Sequence, residues 1–335
     1  MRTTTAGGRT WHFSHAVGRN AAAGNGFTQP VDLATAPGGV IYVVNRGGEN
    51  VDGTVQENKR LNKVTIDHEL IGDFARNHFT WATGIAVTSD ETIYCSDEYD
   101  NIIRIYNSDG EKIAEWGESG SGDGQFQGPS GLVFDREDNV YIVDSRNDRV
   151  QKYTKDGQFL FSWGESGSAE GQFNRPYGIT LDYDQNVYVV DWGNDRIQKF
   201  TAEGDFLKSF GSSSAERGTD LDHPAGVAVD SDGDVYVTDW GNKRVKIFDP
   251  EGDVLTCLYG DATELSKWAK EVVESNPDVV KAFNRMKDLS PLGKFERPVG
   301  IEIDDQDRII ITETTRGRLQ VYTKEKDYLE PQFNL

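Results

Sequence analysis

A chain of 335 residues with 36 glycines, and with 35 Lys and Arg set against 56 Asp and Glu for a net charge of −21, is not a helical bundle. So acidic a surface repels nucleic-acid phosphates and anionic lipid, and no run approaches the roughly 18 apolar residues that span a bilayer. Nucleic acid and membrane are therefore excluded as expected partners.

The amino-terminal stretch MRTTTAGGRTWHF holds two arginines and no apolar leader core, so a cytoplasmic location is expected. Residues 10–27, TWHFSHAVGRNAAAGNGF, align with FLFSWGESGSAEGQF, the end of a later repeat, and so predict an outer strand. Pro30 then opens the first of six copies. From the start of each copy to the acid or Asn that ends its second apolar run the interval is always 15 residues: Pro30 to Asn45, Ala82 to Asp97, Pro129 to Asp144, Pro176 to Asp191, Pro224 to Asp239 and Pro298 to Glu313.

In copy one the following loop is enlarged by ten, since Asn45 and Arg60 stand 15 apart where Asp144 and Arg149 stand 5 apart. Within each copy the alternation is short-period, as in GVAVD, DVYVTD, RVKIFD and DVLTCLYG, with Gly, Asp and Asn between the runs. That pattern predicts four antiparallel strands joined by tight turns. Cys95 and Cys257 each fall inside an apolar run and read as buried thiols, neither a disulfide nor a metal pair.

After copy five, 59 residues separate Asp239 from Pro298, against 32 between Asp97 and Pro129. Inside the excess, Leu265, Trp268, Val272, Val279, Val280, Phe283 and Met286 recur at three- and four-residue steps. Two helices are expected, interrupted near Pro277 and stopped before Pro291. Copy six ends after three strands, GIEID, RIIITE and RLQVYTK, and the amino-terminal segment supplies the missing fourth. A four-stranded sheet cannot cover both apolar faces alone, so the sheets stack around an axis. The expected fold is all-β: one domain over residues 1–335, a six-bladed β-propeller closed by the N-terminal strand in blade six, with a helical lid at 261–295 between blades five and six.

The segment GQFNRPYGITLDYDQNVYVVDWGNDRIQKFTAEG resembles an NHL repeat, and the likeness is strongest over residues 79–260. The resemblance implies the same propeller. It implies no single function, since the family includes RNA- or protein-binding modules, extracellular sensors and metal-dependent lyases. The metal-binding histidine pattern of its amidating lyases has no match among His12, His15, His68, His78 and His223.

In an up-and-down blade the second-to-third loop and the link to the next blade emerge on one face. Both enlargements therefore rise on the same side, as a lid over a pocket at the pore mouth or as a homo-oligomer surface bearing Trp268, Phe283 and Met286. Three positions per copy face that mouth: the residues before and after the opening Pro, and the one after the acid. They supply aromatic surface at Trp81, Tyr177, Trp192 and Trp240, Glu98, and the planar cations Arg46, Arg175 and Arg297; nearby Arg146 and Arg316 add two more. His223 is the candidate for acid–base work, and Arg46 is named with it as a catalytic candidate.

The ring formed by Asn45, Asp97, Asp144, Asp191, Asp239 and Glu313 has the oxygen donors of a calcium site, but an acid at the same step of every blade is what a turn uses to hold its own backbone. DSDGDV begins like a calcium loop, yet Gly241 stands where the closing Glu belongs. No ligand motif supports a cofactor, and a divalent metal at the pore stays open. The expected activity is binding of a small, carboxylate-bearing organic molecule at the mouth, with lyase or hydrolase chemistry implied by the resemblance. The alternative is a non-catalytic protein-interaction scaffold using the same face.

Overall fold

The structure, a computed structural model, describes residues 3–48, 58–212 and 218–325. Six antiparallel sheets form a ring. Blade one comprises Pro30–Ala36, Val40–Asn45, Arg60–Thr65 and Leu70–Phe74, and blades two to five repeat this order from Ala82, Pro129, Pro176 and Pro224. Each first strand packs against the first strand of the next blade, and blade six meets blade one. The fifteen-residue interval is a pairing register: Pro30 lies opposite Asn45, Ala82 opposite Asp97, and so on to Pro298 opposite Glu313.

Apolar alternation gives every blade two greasy faces, and each is covered by a neighbour. Tyr141, Val143 and Val150 of blade three, for example, share one core cluster with Val187, Val189 and Phe200 of blade four. In five of the six blades the second step after the opening residue is glycine, where the first strands approach so closely that a side chain has no room. A Cβ on Gly131 would lie 2.7 Å from the Tyr177 carbonyl oxygen, and one on Gly178 would lie 2.5 Å from that of Ala225.

The chain ends close blade six as expected: Arg9–Val17 pairs with Arg318–Glu325, placing Trp11 opposite Lys324. One strand more is present than the sequence suggested. Thr3–Ala6 pairs outside Arg9–Val17, so this sheet has five strands; the polar TTTA has no apolar alternation to announce it.

Three helices occupy the insertion, α1 (Lys267–Glu274), α2 (Pro277–Asn284) and α3 (Ser290–Gly293). The side chains of Ser266 and Asn276 cap the first two. The break at Pro277 is where the sequence put it. Pro291, expected to follow the last helix, instead sits in the first turn of the short α3, where a proline loses no hydrogen bond. Trp268, expected on a lid or a subunit contact, is 2 % exposed and packs with Val17, Phe27 and Leu319 at the seam between blades six and one. The enlarged loop of blade one falls largely on residues 49–57, which lie outside the described residues. Cys95 is buried, Cys257 is only partly so, and both are free thiols. No helix among the described residues is long and apolar enough to cross a membrane.

Candidate functional site

The ring of acids builds the mouth without facing it. Asp144 Oδ1 accepts the Gln127 N–H at 2.6 Å, Asp191 Oδ1 that of Asn174 at 2.8 Å, and Asp239 Oδ1 that of Asp222 at 2.8 Å. The other oxygens take Arg149, Arg196 and Arg244 at 2.9, 2.7 and 2.7 Å. These carboxylates are thus the caps the sequence suggested, tying the end of each blade's second strand to the link that enters it. The residues on either side of each cap are left to line the opening.

They enclose a cavity of about 390 Å³. Arg46, Trp81, Glu98, Arg175, Tyr177, Trp192, Trp240 and Arg297 all contribute to its wall, with Gln29, Val31, Ser145, Ala225, Val299 and Thr314 between them. Arg46 is fixed from three sides: Nε donates to the Ala82 carbonyl at 3.0 Å, Nη2 to Thr83 Oγ1 at 3.1 Å, and Nη2 to the Tyr177 hydroxyl at 3.2 Å. The last bond crosses from blade one to blade four. The guanidinium lies 4.8 Å over Trp81, and Arg297 lies 5.4 Å over Trp240. Burial pushes the Tyr177 phenol up, with Arg46 pulling against it.

Glu98 accepts from Arg146 at 2.9 Å, so the one carboxylate of the wall is already paired. Among the described residues neither Arg175 nor Arg297 has a carboxylate within ion-pair distance.

Three sequence candidates lie off the cavity. Arg146 is one step too far beyond its acid; it is 57 % exposed and reaches only Glu98. Arg316 turns back to Glu313 at 3.0 Å and to the Pro291 carbonyl at 2.9 Å, bracing the insertion. His223 is drawn aside by Asp222, whose Oδ1 is 2.6 Å from Nδ1, and its ring packs 4.3 Å from that of Trp192 at the rim. No residue of 261–295 lines the cavity. Ser266 donates to the Gly18 carbonyl and Arg318 to that of Leu292 at 2.7 Å, which seats the helices on the seam beside the mouth.

Two residues missed in the sequence lie deeper. Below the mouth, a pore cavity of about 30 Å³ shares Val31, Tyr177, Ala225 and Val299 with it and is also lined by Asp32 and Glu302. Asp32 stands where the five other blades have glycine, and its Oδ2 accepts the Ile85 N–H of the next blade at 3.0 Å. Glu302 stands where the others have Ala34, Ala86, Val133, Thr180 and Ala228. Comparison of the copies at the second and fourth steps after the opening Pro would have exposed both. Burial pushes Asp32 up to about 7, against the Ile85 bond, and pushes Glu302 up to about 8, with Asp32 adding to the rise.

Both values exceed those of an unfolded chain, about 3.9 and 4.3. The native state therefore holds extra protons between those values and 7 to 8, and stability falls as pH rises through that interval. Asp135 and Asp182, lowered by their lysines against burial, titrate below it. We expect melting temperature to drop from pH 5.5 to pH 8.5, and Asp32→Asn with Glu302→Gln to flatten the slope by an amount on the order of 1–3 kcal/mol. Parallel slopes in thermal melts of wild type and double variant would contradict this.

Comparison with known proteins adds the repeat and the fold. The NHL repeat model matches residues 126–153 and 221–248. No curated protein matches the sequence. Among solved structures, a streptogramin B lyase is similar over 94 % of this chain and 98 % of its own, at 12 % identity and a TM-score of 0.59. A catalytically inactive histidine-to-alanine variant of virginiamycin B lyase from Staphylococcus aureus, with quinupristin, is similar over 96 % and 90 %, at 13 % identity and 0.57. A structural genomics protein of unknown function from Bacteroides thetaiotaomicron covers 95 % and 76 %, at 17 % identity and 0.66. At these identities the likeness is one of fold.

Proposed function

We propose that this NHL-repeat six-bladed propeller binds a small organic anion, a flat apolar body bearing a carboxylate, in the mouth cavity and acts on it as a lyase or hydrolase. One observation carries the reading. In a chain of net charge −21, three guanidiniums and three indoles meet on one wall whose sole carboxylate is neutralised by Arg146. Indole faces suit a planar body, and guanidinium forks suit a carboxylate.

Arg46 and Tyr177 are the pair placed for chemistry. The phenol keeps its proton at neutral pH and can give it to a leaving group, while Arg46, immobilised over Trp81, stabilises negative charge that develops beside it. His223, off the wall, has no part in this step. The lyase reading draws support from the streptogramin B and virginiamycin B lyases, which share the fold over nearly their whole length.

Thermal-shift titration with cinnamate and indole-3-acetate, and with their amides as controls, tests the binding. The acids are expected to raise the melting temperature of the wild type and the amides to do so far less. Arg46→Gln and Arg175→Ala each weaken binding by about tenfold, the worth of one charged hydrogen bond. Shifts that survive Arg46→Gln, Arg175→Ala and Tyr177→Phe, or that the amides reproduce, would refute the assignment.

A further inference from the structure

Three seams between blades present the same three positions: one in the turn after the acid, and two just before the next blade's opening Pro. The seam of blades three and four has Asp148, Asn174 and Arg175. That of blades five and six has Lys243, Glu296 and Arg297, with Lys243 and Glu296 2.7 Å apart. Each of these holds a cation of its own.

The seam of blades four and five has Asp195, Asp222 and His223, and among the described residues no Lys or Arg pairs with either carboxylate. One donor atom from each of the three lies within 4.8 Å of the others. Asp195 is held in place because its Oδ1 accepts the His223 backbone N–H at 2.8 Å, which leaves Oδ2 uncommitted. The imidazole is held as well: φ of His223 is +51°, its Nδ1 faces Asp222 Oδ1 at 2.6 Å, and its ring lies against Trp192.

We propose that Asp195, Asp222 and His223 bind a divalent transition-metal ion of the zinc type at the rim of the mouth. One imidazole nitrogen with two carboxylates is a mixed N and O set without thiolate, which suits Zn²⁺ and its neighbours, whereas Ca²⁺ and Mg²⁺ prefer oxygen alone. The ion takes the place of the proton on Nδ1, so the imidazole binds as the neutral Nε2–H tautomer: a neutral ring moves its proton from Nδ1 to Nε2, and an imidazolium gives one proton to solvent. Donors on a tetrahedral ion stand about 3.3 Å apart, so the 2.6 Å contact opens by a small rotation of Asp222, whose side chain is half exposed. Three protein donors leave a position for water or an anion. The proposal does not depend on the anion reading of the cavity.

Calorimetric titration of Zn²⁺ into the full chain tests it. The tightest site is expected to take one ion per chain, and Asp222→Asn and His223→Ala each weaken it by at least about tenfold. Asp195→Asn, which keeps an oxygen for the His223 N–H, also weakens it, with melting temperature unchanged. Co²⁺ gives a local reading: it quenches indole emission in the wild type, and the quenched component disappears in Trp192→Phe. Absence of Zn²⁺ binding, Zn²⁺ affinity unaltered in Asp222→Asn and Asp195→Asn, or tighter binding of Ca²⁺ than of Zn²⁺ would overturn the proposal.

Discussion

Deletion of residues 1–17 is expected to abolish cooperative folding. The strand Arg9–Val17 is the fourth of blade six, and it brings Trp11 into the core shared by blades five and six and Val17 into the core shared by blades six and one. Trp11 also donates through Nε1 to the Tyr236 hydroxyl at 2.8 Å, and Tyr236 donates in turn to Asp230 at 2.9 Å, so the strand stitches blade six to blade five. Loss of a buried tryptophan alone costs about 3–5 kcal/mol. Adding the buried valine and an open strand edge exhausts most of the roughly 5–15 kcal/mol by which a domain is stable. Deletion of residues 1–8 is the control: it removes only Thr3–Ala6 and keeps Arg9, and should cost about 1 kcal/mol. Circular dichroism melts of the two truncations decide the matter, and a cooperative melt from the longer deletion within a few degrees of wild type would show that the ring is not closed by this strand.

What the sequence disclosed and what it hid divide along a physical line. Repeat position specified the ring, because Pro129 can lie opposite Asp144 only if every copy turns at the same step. It also specified the mouth: every residue of the cavity wall comes from one of the three positions beside the caps. Direction was not specified. Trp268 has the periodicity of a lid helix and of a core helix alike, and it resolved to the core because the groove at Phe27 and Leu319 takes an indole. His223 shares its position with Arg175 and Arg297, yet the neighbouring Asp222 turns it from the wall. Asp32 was hidden by its setting in a strand; its meaning lies in the glycine it replaces, which only alignment at that step reveals.

Lys324→Met is expected to cost about 3–5 kcal/mol at neutral pH, the penalty of leaving buried carboxylates without their cation. In blades three and four the acid of the first turn is neutralised within its own blade, Asp135 by Lys152 at 2.8 Å and Asp182 by Lys199 at 2.9 Å. Blade five has Ile247 at that position, and its turn holds three acids. The charge that answers them comes from blade six: Lys324 Nζ lies 2.7 Å from Asp230, Asp232 and Asp234, and is 1 % exposed. Arg9 adds a second cation to Asp234 at 2.7 Å. Burial raises Asp234 even with these partners, and it opposes the charge on Lys324, which the three acids nonetheless hold above its ordinary value.

The pH dependence follows from those directions. Lys324 contributes fully below the ordinary lysine value, so its loss is felt across the neutral range. In the variant, Asp234 faces Asp230 with less cation, which raises the native value of Asp234 further above the unfolded one. The penalty is then present above that raised value and is relieved as pH falls through it toward about 4. Denaturant melts at pH 7.5 and 5 should therefore show the gap between variant and wild type narrowing in acid, and Lys324→Met with Asp234→Asn should recover part of the loss at pH 7.5. A gap under about 1 kcal/mol at pH 7.5, or one that widens in acid, would mean that the three acids are hydrated turn residues and that Lys324 adds little to the joint between blades five and six.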